Sequence, residues 1–295
     1  MICTSPFCRY AIGLAIALFI GSAPLQTLAS GALETEDFAD VVTVVAELVE
    51  QYGAENVLLV CDIDNTLLAM DTDFGSDQWF EWQSYLLEYD PKSKHLVADN
   101  FDGLLEVQGL LFSLGEMHPP QPEIPDNIAE MQKMGISTLV LTSRGDAFRT
   151  ATELELEENG YDFVQTVLPI TGAECGPYLP YDRDAVEQSG LTAEEAEQFD
   201  LPADPKEVSF EAGVFMTSGQ HKGAMLLTLL ARCDRDFKAV VFVDDHARHV
   251  VRVYDALARR GLDVTCFHYK LEDDNVKRFE YSDKSDVTRR WLRLD

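Results

Sequence analysis

Apolar side chains at Phe38, Val41, Val42, Val45, Leu48 and Val49 recur with the helical period and predict a helix over 36–51 with one face turned to a core. The next apolar run has no such period. Val57-Leu58-Leu59-Val60-Cys61 is unbroken, the pattern of a parallel strand buried on both faces, and it stops at Asp62-Ile63-Asp64-Asn65-Thr66. A predicted helix over 125–134 is closed by Gly135, and strand 136–142 follows it. Helix 146–159 then ends at Gly160, and a hairpin over 207–216 turns near Glu211-Ala212-Gly213. Helix 221–231, strand 239–243, helix 248–260 and strand 264–269 complete the alternation, the first of these two strands being closed by Asp244-Asp245. Alternating strands and helices predict an α/β fold with a parallel sheet, whose ligands gather at the carboxyl ends of the strands. Asp62, Thr142 and Asp244 all fall at such ends.

Two stretches interrupt the alternation. Residues 69–122 contain a predicted helix over 77–89, capped by Ser76, with Trp79, Trp82, Leu86 and Tyr89 on roughly one face as the core of a small cap. Residues 169–205 are acidic and proline-bearing, and are expected to cover one edge of the site or to loop over the surface. Long insertions in compact domains are more often functional than accidental.

Composition narrows the setting. The first residues place Arg9 before an apolar stretch from Tyr10 to Ile20 and small residues up to Ala29, the pattern of a secretory signal cleaved after Ala29 or, in the alternative, of a retained anchor. Cleavage predicts a soluble mature protein, periplasmic or secreted, spanning 30–295. The 23 basic and 52 acidic side chains give a formal charge of −29, and removal of Arg9 makes it −30. That charge excludes nucleic acid and anionic membranes as partners and suits a solvated acidic surface. Cys61, Cys175, Cys233 and Cys266 would remain after cleavage; Cys61 and Cys266, in strand-like runs, read as buried small hydrophobes.

The chemistry lies in the polar residues that close the strands. An ionised carboxylate buried without a partner costs several kcal/mol, so Asp62 and Asp64 at the end of a core strand need a cation or a reaction. On an extended chain they would point the same way, roughly 7 Å apart, and could flank one phosphoryl group. Each piece also has a plain reading: Asp-x-Asp as a turn or calcium loop, Lys222 as a solvated lysine, Asp244-Asp245 as a helix cap. Asp77 reads as a first-turn acid favoured by the helix dipole, and His221 and His246 as surface or supporting residues. The order of the strand-end features carries more than any one of them.

Taken together, Asp62-Ile63-Asp64-Asn65-Thr66, Thr142 after Leu139-Val140-Leu141, Lys222, and Asp244-Asp245 after Val241-Phe242-Val243 resemble the four motifs of the haloacid dehalogenase superfamily of phosphotransferases. The likeness spans about 57–268. Phe74-Gly75-Ser76-Asp77-Gln78-Trp79-Phe80 and Thr217-Ser218-Gly219-Gln220-His221-Lys222-Gly223 resemble an exported bacterial branch of it without an assigned function. The resemblance implies a Rossmann-like three-layer sandwich with cap insertions. It makes Asp62 the nucleophile and Asp64 the acid and base, gives phosphoryl oxygens to Thr142, Ser143 and Lys222, and has Lys222 neutralise growing charge. Magnesium would be held by the Asp62 side chain, the Asp64 backbone carbonyl and Asp244, with Asp245 supporting it. His249 stands where related sequences often carry asparagine. The implied activity is an exported magnesium-dependent phosphatase or phosphotransferase acting on a small phosphate ester. A binding or scaffolding protein on the same fold without turnover is the alternative. Dehalogenation is disfavoured by Asp64, which that chemistry does not use, and cation pumping by the lack of further membrane spans.

Overall fold

The computed structural model describes residues 26–27, 32–171 and 176–294. Cys175 and the expected signal segment lie outside these residues, apart from Gln26–Thr27. At the centre, β3 (Val57–Cys61) turns Val57, Leu59 and Cys61 to one core and Leu58 and Val60 to the other. The neighbouring β9 (Ala239–Asp244) alternates in the same way, with Val241 and Val243 opposite Val240 and Phe242. Burial on both faces is why these strands read as continuous apolar runs.

The sheet has eight strands. Its order is β1 (Gln26–Thr27), β2 (Leu33–Thr35), β10 (Asp263–Tyr269), β9, β3, β6 (Ser137–Thr142), β8 (Val214–Met216) and β7 (Ser209–Glu211). All neighbours are parallel except the outermost pair at each edge. The predicted hairpin is β7–β8, and Ala212 (φ 51°) and Gly213 (φ 79°) give it the two positive φ values of a type I′ turn.

One face is covered by α1 (Phe38–Tyr52), α4 (Ile124–Lys133) and α5 (Arg149–Glu158), and the other by α7 (Lys222–Leu230) and α8 (Ala247–Ala258). The chain is therefore α/β, with a mostly parallel sheet between helical layers. Residues 169–205 do more than loop over the surface. Tyr181, Val186, Leu191, Phe199 and Leu201 join the core on the α7 face, and α6 (Ala193–Gln198), capped by the reciprocal Thr192–Glu195 pair, is tied to the chain after α8 by Arg260. Tyr181 and Phe199 of the segment also line a small cleft.

The first insertion stands on a two-stranded stem, β4 (Ala69–Met70) against β5 (Met117–His118). Above it, α2 (Asp77–Tyr89) and α3 (Phe101–Leu114) build a third core around Phe74, Trp79, Leu104 and Leu111. That core is completed from the far end of the chain by Phe279 of α9 (Asp273–Tyr281) and Val287 of α10 (Ser285–Leu294). Ser76 caps α2 as expected, and Trp79 and Leu86 are buried. Tyr89 is not part of the core: it is 65% exposed and lies beside Tyr85.

The close approach of α7 to α8 depends on one glycine. A Cβ on Gly223 would lie 2.2 Å from the Arg252 carbonyl oxygen. Gly223→Ala is expected to force the helices apart at a cost of about 1–3 kcal/mol. Urea unfolding checks it, and an unchanged midpoint would show that the helices can part freely.

Candidate functional site

β3 ends at Cys61, and the Asp62 N–H then donates to the Val243 carbonyl at 2.9 Å, so the carboxyl ends of β3 and β9 are joined where the acids begin. The chain turns at once. Leu67 and Leu68 N–H groups donate to the Ile63 carbonyl, and Asn65 takes a positive φ of 54°. Two side chains of this turn reach Asp245, just past the end of β9: Asn65 Nδ2 donates to Asp245 Oδ2 at 3.1 Å, and Thr66 Oγ1 accepts the Asp245 N–H at 3.1 Å.

The turn changes the expected geometry of the aspartate pair. Asp62 and Asp64 do not lie on one extended strand. Asp62 points to Lys222, whereas both oxygens of Asp64 are held by Arg144, at 3.0 Å from Nε and 2.7 Å from Nη2. Lys222 is wholly buried, and its Nζ lies 2.6 Å from both Asp62 Oδ1 and Asp244 Oδ2. Its place follows from α7: His221 caps that helix, accepting the Ala224 N–H on Nδ1 at 3.1 Å, and Lys222 is the first helical residue. Asp244, also fully buried, accepts the His246 N–H on Oδ1 at 2.8 Å.

Asp62, Asp244 and Asp245 present carboxylate oxygens within 4.8 Å of one another. Asp245 Oδ1 is buried with no hydrogen-bond partner. Burial pushes Asp62 up to about 7 against the pull of Lys222, and Asp244 and Asp64 add to the rise. Burial also raises Asp245 well above the carboxylate range, with Asp244, Asp77 and Asp62 adding to it and His246 opposing. Lys222 is held protonated, because its two carboxylates outweigh the opposing effect of burial. One ammonium cannot balance three neighbouring acids, so the cluster is short of positive charge. An all-oxygen donor set with an unsatisfied carboxylate oxygen fits a hard divalent cation such as magnesium.

Thr142 closes β6 and is fully buried; its Oγ1 accepts the Arg144 N–H at 3.1 Å, and its carbonyl accepts both the N–H and the hydroxyl of Thr217. Ser143 is among the residues lining a cleft of about 780 Å³ that runs between α2 and α9 on one side and α8 on the other. A smaller cleft of about 370 Å³, bordered by Tyr181 and Phe199 of the second insertion, shares Gly219 and Arg252 with it. His249 lines the large cleft and is buried; its Nε2 accepts from Arg248 Nε at 3.4 Å, its Nδ1 has no partner, and burial and nearby cations keep the ring neutral.

Three residues gain roles that pattern reading had not given them. Asp77, read as a helix-dipole acid, also pairs with His246 Nε2 at 3.0 Å. Burial works against protonation of that imidazole, but Asp77 and Asp245 outweigh it and raise His246 to about 10. Arg144 is the third. Its side chain is 3% exposed; Nη1 donates to Thr152 Oγ1 at 2.9 Å, and the guanidinium lies 3.8 Å over the Phe112 ring of α3. Its only sequence signal is a cation two residues beyond a strand-closing threonine, which does not reveal burial.

Arg144→Ala leaves Asp64 without its partner and is expected to cost on the order of 3 kcal/mol, read by urea unfolding. A second outcome concerns acid. Burial and Arg252 hold His221 down to about 4, so it is neutral in the fold, as an accepting Nδ1 requires. The stability this gives is complete above pH 6.5 and is lost as pH falls towards 4. His221→Asn, which keeps a capping side chain, should flatten that part of the stability-versus-pH curve.

Among the described residues, no helix is long and apolar enough to cross a membrane. A Chlamydia pneumoniae protein named "Putative outer membrane protein" is 21% identical over 238 residues, which are 78% of this chain and 78% of that protein. No solved structure matches the chain significantly. Residues 34–295 match the family described as "Protein of unknown function (DUF2608)", and the chain belongs to that family.

Proposed function

We propose that the chain is an exported, magnesium-dependent phosphatase or phosphotransferase of the haloacid dehalogenase type, acting on a phosphate monoester through an aspartyl phosphate on Asp62. One observation carries the reading: a fully buried lysine bridges Asp62 and Asp244 at 2.6 Å each, at the carboxyl ends of adjacent parallel strands. Structural ion pairs seldom gather a surplus of buried acids around one cation, whereas a site that handles phosphoryl charge needs both.

In this mechanism an oxygen of Asp62 attacks phosphorus, and the ester oxygen leaves with a proton from Asp64. Water then attacks the phosphorus of the aspartyl phosphate, its proton passes to Asp64, and the P–O bond to Asp62 breaks. In phosphotransfer, an acceptor hydroxyl replaces the water. Lys222 offsets charge on the transferring group, and the Thr142 hydroxyl proton and Ser143 bind its oxygens. Magnesium, held by Asp62 and Asp244 with Asp245 in support, would shield the phosphoryl oxygens from the carboxylates. Arg144 engages both oxygens of Asp64, so proton transfer requires one of them to leave the fork. The pattern from Arg9 to Ala29 and the name of the Chlamydia relative support export.

Purified protein is expected to release phosphate from members of an ester panel only with magnesium, and Asp62→Asn to lower turnover on the order of 10³-fold or more. Magnesium with beryllium fluoride should raise the melting temperature of the wild type and not of Asp62→Asn. Turnover undiminished in the variant would overturn the nucleophile assignment. A melting shift without turnover of any ester would instead favour a binding protein.

A further inference from the structure

We propose that the cleft beside Ser143 seats a flat aromatic leaving group, making the substrate a ring-bearing phosphate monoester such as an aryl phosphate or a nucleoside monophosphate. The inference rests on the phosphatase reading and adds the chemistry of the group that departs.

The two walls of the cleft differ in kind. Glu81, Trp82 and Tyr85 of α2 are spaced to share one helical face and all line the cleft, with Phe279 of α9, buried in the cap core, supporting Trp82. Trp82 and Phe279 meet edge to face at 6.0 Å, and Tyr85 is 59% exposed. The opposite wall is α8, which contributes Arg248 and Arg252. Arg248 reaches across to Glu81 at 3.1 Å and ties the walls together at one point. Arg252 has no side-chain partner among the described residues, in a chain where acids outnumber bases 52 to 23. An aromatic wall facing guanidinium groups suits a flat π system, which stacks on both kinds of surface.

Position and size agree with this seat. Asp77 lines the cleft, and its carboxylate lies within 4.8 Å of that of Asp245, which is equally near Asp62, so the cleft adjoins the acid cluster. A volume of about 780 Å³ falls within the range of small-molecule sites. A cationic head group is a poorer fit. The Lys284 ammonium already lies over the Phe279 ring at 4.2 Å and near that of Trp82 at 5.9 Å, and it is held there by backbone carbonyls at the end of α9. A glycerol phosphate would leave the aromatic wall unmatched.

The test compares phenyl phosphate, a nucleoside 5′-monophosphate and glycerol 2-phosphate by kcat/KM. In parallel, Asp62→Asn protein is titrated with the same three esters and with inorganic phosphate, by quenching of tryptophan fluorescence. At least one ring ester is expected to exceed glycerol 2-phosphate by tenfold or more in both measurements, and comparison of the two rings separates the aryl from the nucleoside source. Tyr85→Ala and Arg252→Gln, both changes at exposed side chains, should each reduce that ratio fivefold or more. Equal turnover of all three esters, or a ratio untouched by both variants, overturns the ring seat and leaves the phosphatase reading standing. Ring esters that bind tightly without being turned over overturn the phosphatase reading and keep the seat.

Discussion

The structure is organised around one buried ammonium and the acids it cannot fully neutralise. Lys222 Nζ touches Asp62 and Asp244 at 2.6 Å, and all three side chains are almost sealed from solvent. Removing such charges from water is expensive, and the attraction between them offsets that cost only if their geometry is fixed. Much of the fold serves to fix it. Pairing of β3 with β9 sets the two acids side by side, the His221 cap starts α7 where Lys222 can reach both, and Gly223 lets α8 close over the next turn. The apolar faces of these strands and helices make the surroundings dry. The same dryness strengthens the pull on any cation or phosphoryl group that enters.

The first insertion is joined to this centre by polar contacts. Arg144 links Asp64 to Thr152 of α5 and lies over Phe112 of α3, while His246, next to the acid pair, meets Asp77 at the start of α2. The small core of the insertion depends in turn on α9 and α10, from the end of the chain. Movement of α2 or α3 relative to the sheet would therefore alter the surroundings of Asp64 and His246 directly. In the proposed reaction, the acid and the wall of the leaving-group cleft belong to one mechanically connected unit.

Much of the scaffold is legible in the sequence, because its signals are local. Continuous apolar runs mark β3 and β9, Ala212-Gly213 marks a hairpin turn, and Ser76 marks the start of α2. Asp62, Lys222, Asp244 and Asp245 converge in the structure, and Thr142 closes β6, the strand next to β3. What stays hidden depends on distant partners. Nothing near Phe279 or Val287 says that they complete a core begun at Phe74, and nothing near Tyr181 or Phe199 says that an acidic segment packs under α7. The relation between Asp62 and Asp64 misleads for a different reason. A spacing of two implies a shared direction only while the chain stays extended, and the backbone turns as soon as β3 ends, with Asn65 at positive φ.

The charge of the chain bears on how an anionic ester could reach the site. At −29 the protein repels a phosphate ester at long range, and the repulsion shrinks within a Debye length of roughly 10 Å at 0.1 M salt. Attraction must then come from a few cations at short range. Arg252 stands on the wall of the cleft without a side-chain partner among the described residues, beside Arg248, which is paired with Glu81, whereas Lys222 and Arg144 lie deeper, each committed to carboxylates. Arg252 can draw an anion past the acidic surface, while the inner pair acts only on a group that reaches the strand ends. Because those inner cations are already partnered, the phosphoryl group of the proposed substrate would need added positive charge at Asp62, Asp244 and Asp245. In the proposed reaction, the surplus of acid that burdens the free protein would make phosphoryl binding conditional on a divalent cation.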